Sequence, residues 1–135
     1  MIKSLKLLIL FAILTGTATV KAQDQNADFD KNFAHVVYFY LNNPEDPKDR
    51  TDFETSLKKL MDNTLYAKTK FVGIPAETPR GVVDNSYTYS LILTFPSREM
   101  QDNYQDEAAH LLFIEESAHL WNKVIVYDSV GIERL

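Results

Sequence analysis

The chain has 135 residues with 14 basic and 19 acidic side chains, which gives a net charge of −5 at neutral pH. An acidic surface repels phosphate backbones and anionic lipid headgroups, so neither nucleic-acid binding nor a polybasic membrane dock is expected. The sequence contains no cysteine, which excludes a disulfide framework, a cysteine nucleophile and lipid attachment at a processed cysteine.

The first 22 residues have the pattern of a signal peptide. Lys3 and Lys6 precede an apolar run from Leu7 to Leu14, and Val20-Lys21-Ala22 supplies the small residues typical of a cleavage site. The apolar run is far shorter than the roughly 20 residues that span a bilayer. We therefore predict cleavage after Ala22 and a secreted or periplasmic mature protein without a membrane anchor.

Cleavage at this position leaves 113 residues, which suit one domain with one core. The removed segment contains three lysines and no acid, so the net charge falls to −8. Residues 23–31 are polar and acidic without periodicity, and they are predicted to be a flexible lead-in. The folded domain is expected over residues 32–135.

The first predicted strand runs from Phe33 to Leu41, a stretch dense in β-branched and aromatic residues. Its alternate positions are apolar on both faces, with Val37 on one and Val36 and Tyr38 on the other. A strand in a sheet covered on one side would instead alternate apolar with polar residues. This strand is therefore predicted to be buried on both faces.

The first predicted helix begins after Asp46, a capping residue, with Pro47 in its first turn. Apolar residues at intervals of three and four form its core stripe: Phe53, Leu57, Leu60, Met61 and Leu65. A shorter strand is predicted from about Thr69 to Ile74. The loop over residues 75–86 is interpreted as a hairpin connection, with the border of a site as the alternative.

The second half of the chain has the same order of elements as the first: a strand, a helix and a strand. Ser86 to Phe95 alternates as a strand does, and Ser97 caps a second helix. Lys123 to Val130 is the final strand. The order β-α-β-β-α-β predicts a ferredoxin-like α+β sandwich with helices on one face of an antiparallel sheet. The periodic residues of the second helix are Met100, Tyr104, Ala108, Leu111 and Ala118.

Two helices cover only one face of such a sheet. The apolar opposite face of the first strand needs another cover, and a second copy of the chain is the most economical one. We therefore predict a homodimer packed sheet against sheet.

A block near the C-terminus is the most specific part of the sequence. Tyr104 is followed by His110, Phe113, Trp121 and a Val-Tyr-Asp-Ser strand, and Phe33 to Val37 and Tyr87 to Phe95 complete the pattern. Over residues 32–130 the chain resembles the stress-responsive dimeric α/β-barrel family, abbreviated Dabb. The resemblance implies a dimer that forms a barrel through its sheets.

The resemblance also implies candidate site residues. In this family, olivetolic acid cyclase closes a polyketide ring by aldol condensation with a tyrosine and a histidine at the spacing of Tyr104 and His110. It also has a first-strand histidine corresponding to His35. Many members of the family have no assigned reaction, so the resemblance indicates a fold more directly than a function.

Tyr104 and His110 are the candidate catalytic residues. A histidine takes up a proton near neutral pH, and a phenol donates a hydrogen bond to a developing oxyanion. The pair therefore suits an enolisation, aldol or isomerisation step, with His110 as the base and Tyr104 as the donor. The alternative for His110 is a structural histidine at the edge of the core.

The helix geometry sets a condition on this pair. Six residues on a regular α-helix leave two side chains about 120° apart around the axis. Relatives commonly have a proline two positions before the histidine, which breaks the helix, whereas this chain has Ala108, a strong helix former. Glu107 also stands where relatives often have histidine. An unbroken helix would point Tyr104 and His110 in different directions.

Four aromatic or imidazole side chains are candidates for ligand binding: His35, Tyr89, Phe113 and Trp121. Packing in the core or within a strand is the alternative for His35 and Tyr89. His119, near a helix end, is interpreted as a surface residue. The three histidines lack the spacing of a metal site, and no glycine-rich phosphate loop is present, so no metal or cofactor is expected.

Three functions remain. The first is an exported dimeric module that binds a small apolar or aromatic molecule between sheet and helices. The second is a cofactor-free cyclase, lyase or isomerase that uses His110 and Tyr104. The third is a structural stress-response protein with a filled core. The signal peptide argues against a literal polyketide cyclase, because polyketide thioesters are made in the cytosol.

Overall fold

The computed structural model describes residues 29–133. The predicted signal peptide and residues 23–28 of the predicted lead-in lie outside the described residues. Four strands and three helices are present in the order β1 Phe33–Leu41, α1 Pro47–Asn63, β2 Thr69–Gly73, β3 Tyr89–Phe95, α2 Arg98–Asp106, α3 Ala108–Ser117 and β4 Trp121–Val130. A single 3-10 turn, Ala118–Leu120, precedes β4.

The strands form one antiparallel sheet in the order β2-β3-β1-β4. This order confirms the predicted ferredoxin-like α+β fold. β1 is an interior strand, paired with β3 along one edge and with β4 along the other. Within one chain the sheet is open, with β2 and β4 at its edges.

The two faces of the sheet differ in burial. Alternate residues of β1 from Phe33 to Leu41 are buried beneath the helices, whereas the residues between them are only partly buried. We call the uncovered side the outer face; its large side chains include Val36, Tyr38, Phe71, Ile92, Ile125 and Tyr127. Phe71 is 56% exposed and Tyr127 58% exposed. The predicted burial of β1 on both faces is therefore not completed by this chain alone.

Helix α1 is capped as its sequence predicts. The Asp46 carboxylate accepts hydrogen bonds from the backbone N–H groups of Lys48 at 2.7 Å and Asp49 at 3.1 Å, and Pro47 occupies the first turn. The expected core position of Leu65 is wrong, because this side chain is 83% exposed. The helix ends at Asn63 and Thr64 is extended, so the helical period stops before Leu65.

The core between sheet and helices is largely aromatic. Phe53 of α1 packs against Phe39 of β1 with ring centroids 5.1 Å apart, and Phe113 of α3 stacks on Trp121 at 5.6 Å. Offset and edge-to-face aromatic pairs of this kind each contribute about 0.5–1.5 kcal/mol beyond their burial. These contacts hold α1 and α3 over β1 and β4.

The second predicted helix is two helices, α2 and α3. Its expected apolar stripe is correct at Tyr104, which is buried, but wrong at Leu111, which is 55% exposed, and at Ala108 and Ala118, which are also exposed. Phe113 faces the core instead.

Among the described residues, no helix is both long enough and apolar enough to cross a membrane.

Candidate functional site

The candidate site is organised by the break between α2 and α3. Glu107 has extended backbone angles, φ −70° and ψ 149°, which end α2 and start α3 in a new direction. Neither Pro nor Gly stands at the break. A tertiary contact holds it, since the Glu107 carboxylate accepts a hydrogen bond from the backbone N–H of Leu65 at 3.0 Å, just beyond the end of α1.

The change of direction brings Tyr104 and His110 together. Their ring centroids are 4.7 Å apart, although they lie on different helices. The ring centroid of His35, the third residue of β1, lies 5.9 Å from that of Tyr104. Tyr104 thus contacts both histidines, which the sequence separates by 75 positions.

A backbone carbonyl freed by the break orients His110. In a continuous helix the Gln105 carbonyl would accept from the backbone N–H four residues later. Here it lies 2.9 Å from Nδ1 of His110. A carbonyl oxygen only accepts, so Nδ1 carries the proton and donates it. The other ring nitrogen, Nε2, is then left as an acceptor in the neutral imidazole.

The strand pairing orients His35 in a similar way. His35 and Asp128 are directly opposite each other in β1 and β4, and Nδ1 of His35 lies 2.6 Å from Oδ1 of Asp128. The histidine side chain is 7% exposed and the aspartate side chain 44% exposed. Asp128 therefore connects a buried imidazole with solvent, and it fixes the proton of neutral His35 on Nδ1.

Tyr104 is one of the most completely buried side chains in the described part of the protein, with 1% of its surface exposed. Burial raises the pKa of its phenol above the ordinary value, and the nearby charge of Glu107 raises it further. The phenol is therefore neutral at physiological pH. It remains a hydrogen-bond donor, which is the form required for polarising a carbonyl or holding a developing oxyanion.

These side chains border one cavity, which we call the inner cavity. It has a volume of about 310 Å³ and lies between the helix side of the sheet and α2 and α3. It opens beside β4, where Val124 and Val126 are partly exposed. Its polar groups converge from three elements onto mainly apolar walls, an arrangement typical of small-molecule sites. The lining includes His35, Tyr104, His110, Phe39, Phe113 and Trp121.

Tyr89, which the sequence analysis grouped with the ligand-binding candidates, is not among the residues lining the inner cavity. Its side chain lies against α1, where its ring stacks on Phe53 with centroids 4.8 Å apart. Its hydroxyl donates to Glu54, and the Arg50 guanidinium lies 5.0 Å from the ring centre. Tyr89 therefore helps to attach α1 to β3.

Asp128 and Gln105 are functional candidates that sequence reasoning missed. Both act through a histidine, and neither contact follows from a local motif. The register of β1 against β4 would have indicated Asp128, but that register is a long-range property.

Within residues 29–133, no three His, Asp or Glu side chains come together as a metal site requires.

A family model described as the stress responsive A/B barrel domain, Dabb, matches residues 33–130. The chain belongs to this family. The match covers all four strands and all three helices. No curated protein sequence matches the chain significantly.

Solved structures show the same fold at low sequence identity. Hydroxynitrile lyase from Passiflora edulis is 17% identical with a TM-score of 0.62, over 78% of this chain and 98% of that one. A Dabb family protein with a ferredoxin-like fold from Mesorhizobium loti is 18% identical with a TM-score of 0.61, over 74% and 96%. A dimeric ferredoxin-like protein of unknown function from Thermobifida fusca is 17% identical with a TM-score of 0.60, over 73% and 90%.

Proposed function

We propose that this Dabb protein binds a small apolar or aromatic molecule in the inner cavity. The observation that carries the proposal is the convergence of Tyr104, His35 and His110 on one mainly apolar space of about 310 Å³. A cavity of that size accommodates a single-ring compound and provides three polar groups to orient it. A purely structural role is less well supported, because it predicts a filled core.

A ligand screen with one blocking variant tests this proposal. Uncharged single-ring compounds should raise the thermal midpoint of the wild-type protein in a concentration-dependent way, because a ligand that binds only the folded state stabilises it. Ile114 lines the cavity from α3, so Ile114→Phe should reduce the shift. Leu111→Phe is the matched control, since this neighbouring side chain is exposed and does not line the cavity. Equal shifts in both variants, or none in the wild type, would contradict the proposal.

A second candidate function is a cofactor-free lyase, isomerase or cyclase. The orientation of His110 favours it, because the contact with the Gln105 carbonyl leaves Nε2 free to take a proton while Tyr104 remains a neutral donor. One fold neighbour is named a hydroxynitrile lyase. Under this hypothesis His110 abstracts a proton from the substrate and Tyr104 stabilises the oxyanion that forms on it.

The enzyme hypothesis is tested with the ligand that the screen identifies. His110→Gln and Tyr104→Phe should each lower its turnover at least about 100-fold, as loss of general acid-base assistance typically does. Both variants should still bind the ligand in the thermal assay. Turnover equal to that of the wild type in both variants would remove these catalytic roles while leaving the binding proposal intact.

Homodimer formation and export complete the proposal. The apolar outer face needs a cover, and one of the fold neighbours is described as dimeric.

Export is supported by the lysines, the apolar run and the small-residue site of residues 1–22. Intact mass measurement of the protein expressed with its full N-terminus should give a mature chain that begins at Gln23. A mass that retains the first 22 residues would count against export.

A further inference from the structure

A second cavity lies on the other side of Phe113 from the inner cavity. We call it the α1–α3 groove; its volume is about 280 Å³. Its apolar walls include Leu65, Ala108, Ala109 and Leu112, and Phe113 lines both cavities. Leu65 is 83% exposed and Leu112 is 43% exposed, so large apolar side chains stand at its opening. The proposed function does not use this groove.

Glu107 lines the groove, and one of its two carboxylate oxygens has no hydrogen-bond partner among the described residues. The residue is only 8% exposed, and its Oε2 accepts the Leu65 backbone N–H at 3.0 Å. Its other oxygen, Oε1, is buried and has no hydrogen-bond partner among the described residues. Burying a carboxylate oxygen without a donor is costly. The backbone at the helix break and the bond to Leu65 keep the side chain in this position.

The lysine beside the groove is already paired elsewhere. The Lys59 ammonium group lies 2.6 Å from Oε1 of Glu116, and both side chains line the groove. This pair leaves the charge of Glu107 uncompensated. The groove therefore combines apolar walls with one net negative charge and two buried polar atoms that have no partner among the described residues, Oε1 of Glu107 and Oγ of Ser56.

We propose that the α1–α3 groove binds a small organic cation, whose primary ammonium group donates to Oε1 of Glu107 and whose apolar body lies between Leu65 and Leu112. An ammonium donor fits better than a neutral hydroxyl, because hydrogen bonds to a carboxylate are strongest when the donor is also charged. A divalent metal ion does not fit, because such ions require several oxygen ligands at once. This inference is independent of the proposed function, since it concerns a different cavity and different polar atoms.

Benzylammonium is the probe, and benzyl alcohol is its uncharged counterpart of similar shape. Amide NMR spectra of the full protein should show saturable shifts at Leu65, Ala108 and Ala109 on addition of benzylammonium. The Leu65 amide is the most informative reporter, because it is bonded to the same carboxylate. Benzyl alcohol should bind at least about tenfold more weakly, since it lacks the charge.

Three variants test the assignment. Glu107→Gln keeps an acceptor for Leu65 but removes the charge, and it should weaken benzylammonium at least about tenfold. Glu115→Gln removes an exposed carboxylate from α3, away from the groove, and should bind like the wild type. Ala108→Leu fills the groove from an exposed position at the start of α3 and should also abolish binding, which keeps the test valid if Glu107→Gln does not fold.

Three results would overturn the proposal. The first is no saturable shift with benzylammonium in the wild type, which would mean that water or a proton satisfies Oε1. The second is equal affinity in the wild type and in folded Glu107→Gln or Ala108→Leu. The third is shifts confined to Trp121 and His110, which would place the probe in the inner cavity instead.

Discussion

The rings of Tyr104 and His110 lie 4.7 Å apart because the backbone of Glu107, between them, is extended. On a continuous helix these two side chains would diverge by about 120°. The break instead turns α3 so that His110 faces back toward the end of α2 and bonds the Gln105 carbonyl. The geometry of the inner cavity therefore depends on this one residue and its contact with Leu65.

The break predicts that Ala108→Pro is tolerated. Ala108 is the first residue of α3, where the backbone N–H has no helical partner, and Glu107 already has the extended angles that precede a proline. The free energy of unfolding should be unchanged or rise by up to about 1 kcal/mol, because proline restricts the unfolded chain. Urea denaturation measures the difference.

A proline inside α3 is the control for that measurement. Glu115 has an exposed side chain but lies within the helix, so Glu115→Pro removes a helical hydrogen bond and should cost about 3 kcal/mol or more. A loss of similar size from Ala108→Pro would mean that α2 and α3 form a continuous helix in solution.

The hydrogen bonds at Nδ1 predict the tautomers of two histidines. Asp128 and the Gln105 carbonyl accept from His35 and His110, so neutral His35 and His110 should carry their proton on Nδ1. Long-range proton–nitrogen NMR of the imidazoles reads this directly. Asp128→Ala should remove the preference of neutral His35 for a proton on Nδ1, while His110 should keep its own preference. Protonation at Nε2 of His110 in the wild type would remove its assignment as a base facing the cavity.

The buried phenol of Tyr104 predicts a loss of stability in alkali. Burial and the charge of Glu107 raise its folded-state pKa above the unfolded value of about 10. Below pH 10 both states retain the proton and stability does not depend on it. Above pH 10 the unfolded chain releases the proton while the folded protein keeps it. The free energy of unfolding should then fall by about 1.4 kcal/mol per pH unit from this group.

Urea unfolding at pH 9 and pH 11 measures that loss. Tyr104→Phe has no phenol to ionise, so its stability should fall less over this range than that of the wild type. Tyr66→Phe deletes the hydroxyl of a half-buried tyrosine and is the matched control. Its free energy of unfolding should fall between pH 9 and pH 11 by as much as that of the wild type. An identical pH dependence in the wild type and Tyr104→Phe would contradict the burial of the phenol.

The outer face predicts a dimer that one charge disrupts. Val36 lies on this face in β1, one of the two interior strands, with Tyr127 and Ile92 as its cross-strand neighbours. Val36→Asp would bury a charge in an apolar interface, so the mass from analytical ultracentrifugation should fall to that of one chain. Leu111→Asp introduces the same charge at an exposed apolar residue on the helix side, and its mass should equal that of the wild type.

Circular dichroism should show that Val36→Asp keeps its secondary structure. A wild-type protein that sediments as a single chain at every concentration would contradict the dimer. An unchanged mass for folded Val36→Asp would place the interface on another surface.

Much of the fold follows from local sequence. The β1 boundaries, Phe33 and Leu41, agree with the prediction because the apolar run is continuous and turn residues follow it. The Asp46 cap of α1 agrees for the same reason, since the cap is a contact between near neighbours in sequence. These signals fix the order of elements, and that order is enough to identify the ferredoxin-like arrangement.

The candidate site depends on contacts that local patterns do not contain. Glu107 and Ala108 lack the glycine or proline that usually signals a helix end, and the contact stabilising the break comes from Leu65, 42 positions earlier. The apolar stripe predicted through Leu111 failed because it assumed one continuous helix. Asp128 was missed because its role requires the register of two strands at opposite ends of the chain.

The alternation of side chains along β1 makes this strand sensitive to length. His35, Val37 and Phe39 face the inner cavity, whereas Val36 and Tyr38 face outward. Deleting Val36, with the rest of the strand held in register by β3 and β4, would move His35 to the outer face and turn its imidazole away from the inner cavity. Relatives that have the same inner cavity should therefore vary this segment by substitution, and carry their insertions in the connection between β2 and β3.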